Sequence, residues 1–487
     1  MKTPIAQYWK NYIDGNFVDG GAGRLRVDNP ATGEVLAYQA LADAADVHRA
    51  VTAAKACHDS KVLTDLRPVE RGRMVAAIGE YLLRHKTEIA PLLTLESGPP
   101  LWEAEMEVEG AARYFEYYGN QAQTLEGKSI PLGASYFDFT VLEPYGVCAQ
   151  IIPWNYPLEM AARSMSAALA TGNTCVIKTP ELDPLSSYYL AMAAQEAGFP
   201  AGAVNIICGL GSDAGAALAS HPDVNQIVFT GSVATGIQIA TAAAANVVPC
   251  VLELGGKSAA IVYEDADLER LLADVRWGIF FNAGQVCSAM SRLLVHRSIY
   301  PIVLEQLQAL ASSLSVGPGI ERTEFGPNMG AMISSKQRDR ALAMCEAAQS
   351  HGARTLCGAK AIGDTGFFHA PTVLADVSPI MGIAQNEAFA PVLSVMPFEK
   401  ESEAIAIANG TAYGLVGGVY TRDIDRAMHV ARQMRAGQVF INEWFAGGVE
   451  TPFGGFGKSG YGREKGREAL LNYVQTKNIA IATTAKV

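Results

Sequence analysis

The chain has 487 residues, 49% hydrophobic and 18% charged, which suits a globular protein of two or three domains with large cores. Its 38 basic and 49 acidic residues leave a net charge of −11 with no long basic run, which argues against nucleic acid and anionic membrane as partners. Eight cysteines without CxxC pairs or histidine clusters, a first stretch lacking a signal-peptide core, and no apolar run near the roughly 18 residues of a membrane span lead to the expectation of free thiols, no metal and a cytoplasmic setting.

In chain order, residues 12–37 read as short strands with Asp14-Gly15 and Asp19-Gly20 turns. Apolar residues three or four apart predict helices over about 45–59, 68–96 and 100–125. The stretch 135–153 alternates and then turns apolar, as a hairpin arm would on entering a buried parallel strand. From 146 to 262 the runs VCAQII, NTCVIK, VNIIC, QIVFTG and the one leading to ELGG alternate with helical stretches near 158–170, 186–197, 212–219 and 234–244. That alternation predicts a doubly wound, mostly parallel sheet. A second α/β set follows from about 257, with helices near 266–280, 300–314 and 335–350 and strands near 292–296 and 392–396.

Chemistry concentrates in a few stretches. Asn282-Ala283-Gly284 should break the helix over 266–281 and leave Cys287 on a loop, whereas Cys148, Cys175 and Cys208 sit in apolar runs. A thiol there is either a small hydrophobe or a nucleophile. Glu253, at a glycine-flanked and otherwise apolar strand end, is either a satisfied structural acid or a base whose pKa burial raises. Asn155, just before a helix whose first position would be Pro157, reads locally as an N-cap. Lys178 and Glu181 close a strand with two charges, and Gly231-Ser232 open a helix whose N-terminus suits a pyrophosphate or close packing on the sheet.

Seven motifs in order, PWNYP (153–157), KTPE (178–181), FTGSVATG (229–236), ELGGKS (253–258), GQVC (284–287), NEAFAPV (386–392) and PFGGFGKSGYGRE (452–464), resemble those of the aldehyde dehydrogenase superfamily over nearly the whole chain. The resemblance implies two doubly wound α/β domains and a small β oligomerisation arm. The NAD-binding domain would span 1–121 and 145–256 and the catalytic domain 257–456, with 122–144 and 457–487 forming the arm and C-terminal segment. It implies NAD-dependent, non-acylating oxidation of an aldehyde by a homodimer or homotetramer, with 478–482 pairing another subunit's arm. Catalysis would fall to Cys287 as nucleophile, Glu253 as general base for deacylation and Asn155 in the oxyanion hole, with Lys178 beside them. Ile152, Pro153, Trp154, Lys178 and Glu181 would hold the adenosine side, Gly231 and Ser232 the pyrophosphate, and Glu387 and Phe389 the nicotinamide side. Glu181 favours NAD, with NADP the weaker alternative, because it would repel a 2′-phosphate. Glu464 would be either a carboxylate near the water path or a surface acid.

Tyr156, Val286, Ser288, Trp444 and Phe445 are the expected tunnel wall, and they suit an aromatic or other uncharged aldehyde. Arg163 shares a helix face with Tyr156. It is read either as an anchor for a semialdehyde carboxylate or as the partner of Glu159, four residues before it. A catalytically silent family member is the alternative from another functional class.

Overall fold

Asp14 (φ 51°) and Gly15 (φ 75°) are both left-handed, the backbone of a type I′ turn, and fold Asn11–Ile13 onto Asn16–Val18. This hairpin joins the edge of an eight-stranded sheet in a computed structural model that describes residues 8–320 and 328–483. The remaining residues, 1–7, 321–327 and 484–487, fall within the expected domain ranges but lie outside the described residues.

Five parallel strands form the centre of that sheet, in the spatial order Val204–Cys208, Thr174–Thr179, Val147–Ile151, Gln226–Gly231, Cys250–Leu254. Chain order turns at Val147–Ile151, so a crevice opens between the carboxyl ends of that strand and Gln226–Gly231. The strands read as unbroken apolar runs because both faces are covered. Cys175 and Ile177 pack into one core with the helix Pro157–Ala170, while Val176 faces the other core with Ala44–Asp59.

A seven-stranded sheet follows, ordered Arg354–Cys357, Thr372–Ala375, Val392–Phe398, Arg292–His296, Ala259–Val262, Val416–Tyr420, Gln438–Ile441. Only its first edge strand is antiparallel. The short strand Gly460–Tyr461 returns to the first sheet beside Cys250–Leu254 and carries the glycine-rich segment across the crevice.

Two expectations need correction. The helix read over 68–96 is two, Pro68–Arg84 and Lys86–Ser97, because His85 leaves helical geometry and its Nδ1 lies 2.9 Å from the Tyr81 carbonyl. The helix near 212–219 is a wide π turn, Gly211–Gly215, followed by Ala216–Ala219; Gly211 gives its N–H to the Glu181 carboxylate at 2.6 Å. The closing strand, Val474–Ala482, pairs antiparallel with its own chain's arm Tyr136–Pro144, in register from Val474↔Pro144 to Ala482↔Tyr136, and forms the edge of a three-stranded sheet. All eight cysteines are free thiols.

Candidate active site

Cys287 owes its position to a forced kink. Beyond Leu268–Phe280 the chain passes through Asn282 (φ 46°), Ala283 (φ 50°) and Gly284 (φ 70°), a left-handed run that ends the helix. Asn282 is held there twice: its backbone N–H donates to Glu103 at 3.0 Å and its side chain donates to the Asn155 carbonyl at 2.7 Å. A side chain on Gly284 would strike the Ala390 carbonyl, and one on Gly256 would strike that of Cys287, so both glycines are steric requirements.

Asn155 is not the N-cap of Pro157–Ala170; Tyr156 holds that place, and Glu107 accepts from the first free N–H groups, Leu158 at 3.0 Å and Glu159 at 3.2 Å. The Asn155 amide instead donates to the Gln285 carbonyl at 2.9 Å, which aims it at the Cys287 loop. An amide has two N–H groups, and the second is available to an oxygen in the cavity.

Glu253 lies at the carboxyl end of Cys250–Leu254, 2% exposed, with no hydrogen-bond partner on either carboxyl oxygen among the described residues. Burial pushes its pKa well above the carboxylate range; Arg163 opposes the shift and Glu464 adds to it. Burial likewise pushes the Cys287 thiol up to about 12, with Glu387 adding and Arg163 opposing. Burial thus favours the protonated form of both groups.

One cavity of about 690 Å³ brings these residues together. Its wall includes Cys287, Asn155 and Glu253 together with Pro153, Trp154, Gly231, Ser232, Glu387 and Phe389. Tyr156, Arg163, Val286, Ser288, Trp444 and Phe445 stand in the same wall. Trp444 is fixed by its indole N–H donating to the Ser288 carbonyl at 3.2 Å. Phe389, itself left-handed (φ 55°), meets Trp154 edge-on at 5.2 Å. Glu387 accepts the Gly256 N–H at 2.9 Å, and burial raises its carboxyl to about 7.

Ile152, Lys178 and Glu181 lie outside that wall. Ile152 is in the core, 6% exposed. The Lys178 ammonium donates to the Thr179 carbonyl at 3.0 Å and pairs with Glu181 at 3.1 Å, so Lys178 stands with Glu181 rather than with Cys287. Glu181 takes Lys178 and the Gly211 N–H on one carboxylate oxygen; the other has no hydrogen bond among the described residues. Ser232 caps Val233–Ala245 by accepting from the Thr235 N–H at 3.2 Å. Glu181's open oxygen and the capped helix N-terminus are fitted to a ribose and a pyrophosphate. The packing reading of this turn also holds nearby, since a side chain at Gly236 would collide with Leu254.

Two readings of charge are corrected. Arg163, 3% exposed, pairs with Glu464 and not with Glu159, and it also donates to the Thr230 hydroxyl at 3.1 Å. Burial works most strongly against its charge, but Glu464, together with Tyr114, Glu253 and Cys287, outweighs that and holds the guanidinium above its usual pKa. Glu464 is not a surface acid: it is 1% exposed and accepts from Ser164 at 3.4 Å and Tyr473 at 3.3 Å.

The sequence reading missed Trp277, Phe281, Glu103, Glu107, Phe453 and Lys465 in the same wall. Trp277, on the helix leading to Cys287, and Phe281, just past its end, are four apart, as are Glu103 and Glu107 on Leu101–Gln121, and that spacing was the available signal.

Residues 17–479 match the model of the aldehyde dehydrogenase family. The chain belongs to that family. It is 41% identical to aldehyde dehydrogenase family 2 member B4, mitochondrial, of Arabidopsis thaliana, over 96% of this chain and 87% of that protein. With retinal dehydrogenase 2 of Homo sapiens it shares 40% identity over 99% of this chain and 93% of that one. The solved NAD+ complex of an aldehyde dehydrogenase from Bacillus cereus superposes with a TM-score of 0.95 at 38% identity, covering 98% of this chain and 96% of that chain. The sheets, the crevice and the Cys287 loop described above are thus this aldehyde dehydrogenase's version of the family fold.

Proposed function

We propose that the protein oxidises an aldehyde to its carboxylic acid, with NAD as hydride acceptor and water as the second reactant. The observation that carries this reading is the convergence of the Cys287 thiol, the Asn155 amide and the Glu253 carboxyl on one cavity beside the crevice. Lys178, Glu181, Ser232, Glu387 and Phe389 are the residues that would hold NAD; bound NAD accepts a hydride and so takes the substrate carbon to the acid level.

Cys287 gives up its proton to solvent and its sulfur forms a bond to the aldehyde carbon, while the Asn155 amide and the Cys287 N–H receive the developing oxyanion; loss of the hydride leaves a thioester on Cys287. Glu253, its own proton lost to solvent, takes one from water; the hydroxyl adds to the thioester and the C–S bond breaks, returning the thiolate and releasing the acid. Unpartnered carboxyl oxygens suit this role, since a carboxylate tied up in hydrogen bonds would be a weaker base. Arg163, already neutralised by Glu464, is a structural cation rather than a substrate anchor. Tyr156, Trp277, Phe281, Phe445 and Phe453 favour an aldehyde with a flat, ring-bearing body.

The test is NADH formation from benzaldehyde by the purified protein and by Cys287→Ala. Wild type should form NADH and the variant should not, while still binding NAD. NADH formation at the wild-type rate by Cys287→Ala would overturn the proposal.

A further inference from the structure

Three cations line the catalytic cavity, Arg163, Arg340 and Lys465, and their situations differ. Arg163 is consumed by Glu464 and Thr230. Arg340 is exposed and donates to the Glu387 carbonyl at 2.9 Å. Lys465 is partly buried and, among the described residues, has neither a hydrogen bond nor a carboxylate within ion-pair distance; its nearest described aromatic contact is the Phe453 ring, 5.5 Å from the ammonium. The chain holds it at φ 61°, a left-handed conformation that suits glycine and is unfavourable for lysine. A partly buried ammonium with a ring face but no carboxylate beside it is set to take an anion.

Glu159 is its counterpart. Its side chain accepts no described hydrogen bond, and its carboxyl lies against Gly110, where even an added methyl group would come within 3.1 Å of it. Burial raises the Glu159 pKa, with Lys465 the foremost opposing charge, and burial lowers that of Lys465, with Glu159 the foremost opposing one. The two groups sense each other across the cavity without touching.

Resting on the aldehyde oxidation proposed above, we infer that Lys465 binds a carboxylate carried by the substrate, remote from its aldehyde group. One oxygen of that carboxylate accepts from the ammonium. An amine in the same place would be repelled by Lys465, and an uncharged substituent would leave the ammonium unmet. The substrate class is therefore an aldehyde acid, and the aromatic wall suits one built on a ring.

The experiment compares each acid with its own methyl ester: 4-formylbenzoate against methyl 4-formylbenzoate, and succinic semialdehyde against methyl 4-oxobutanoate. Rates are taken as kcat/KM on the full chain with NAD. Wild type should prefer the acid of at least one pair by about tenfold or more, the scale of a charge-assisted hydrogen bond. Lys465→Met should collapse that ratio, Lys465→Arg should restore part of it, and Glu159→Gln should keep or raise it, because it takes away the acid that faces Lys465. The ratio needs only that each variant turn over the ester, which also shows that it has folded. A wild type that prefers the esters or 3-aminopropanal, or a ratio unchanged in Lys465→Met, overturns the inference. Failure to oxidise any of these aldehydes would instead count against the proposed function.

Discussion

Glu464→Gln removes one charge from the site and little else. Ser164 and Tyr473 donate to different carboxylate oxygens, so the Gln carbonyl keeps one of the two bonds and its NH2 faces the other hydroxyl, while Arg163, 3% exposed, loses its counter-charge. Removing one partner of a buried pair costs about 3–5 kcal/mol, because the other charge stays buried and unmet. At about 2.1 cal/mol/K per residue, the 487 residues give an unfolding entropy of about 1 kcal/mol/K, so the melting midpoint should fall by about 3–5 °C. Arg163→Met with Glu464→Gln leaves no buried charge and should recover most of the loss. The same change acts on catalysis with a definite sign. Glu464 raises the Glu253 pKa, and Arg163 lowers those of Glu253 and Cys287. With Glu464 neutral, the Glu253 pKa should fall and the acid limb of kcat should move to lower pH. Scanning fluorimetry at fixed protein concentration and a pH–rate series read the two effects. A midpoint within about 1 °C of wild type would refute the stability argument, and an unmoved acid limb would refute the coupling.

Asn155→Ala should lower kcat by ~10²–10³ with little change in NAD affinity, as expected for a lost oxyanion donor; a loss confined to KM would remove it from that role. Glu181→Gln should weaken NAD binding and shift the kcat/KM ratio towards NADP, by about 1–3 kcal/mol for a charged hydrogen bond; an unchanged ratio would show that Glu181 does not read the ribose. Glu387 has its carboxyl raised from 4.5 to about 7, so folding takes up a proton there. Its contribution to stability is present below pH 4.5 and is lost as pH rises through 7, so the melting midpoint of Glu387→Gln should fall less between pH 5 and pH 8 than that of wild type.

The features legible in the sequence have local causes. The buried parallel strands announce themselves as apolar runs, and Asn282-Ala283-Gly284 marks the kink before Cys287 because those residues tolerate a broken helix better than bulky ones. The failures are contacts between distant parts of the chain. Glu159 stands four residues before Arg163, the spacing of a helical ion pair, yet a carboxylate 301 positions away in sequence wins the guanidinium. His85 ends a helix through its own side chain, which apolar periodicity does not register. Gly211 leaves the α geometry for Glu181. Lys465 follows Glu464 in a glycine-rich segment with no periodicity, and only the fold shows that its ammonium reaches the cavity.

The central claim is that Cys287 carries the acyl group and Glu253 directs water to remove it. Glu253→Gln should therefore stop after the first half of the reaction. Mixed with benzaldehyde and NAD, it should give a burst of about one NADH per active site, and intact-mass spectrometry should then show a benzoyl adduct, with peptide mapping placing it on Cys287. Turnover at the wild-type rate with no adduct, or an adduct on any of the other cysteines, would contradict the assignment.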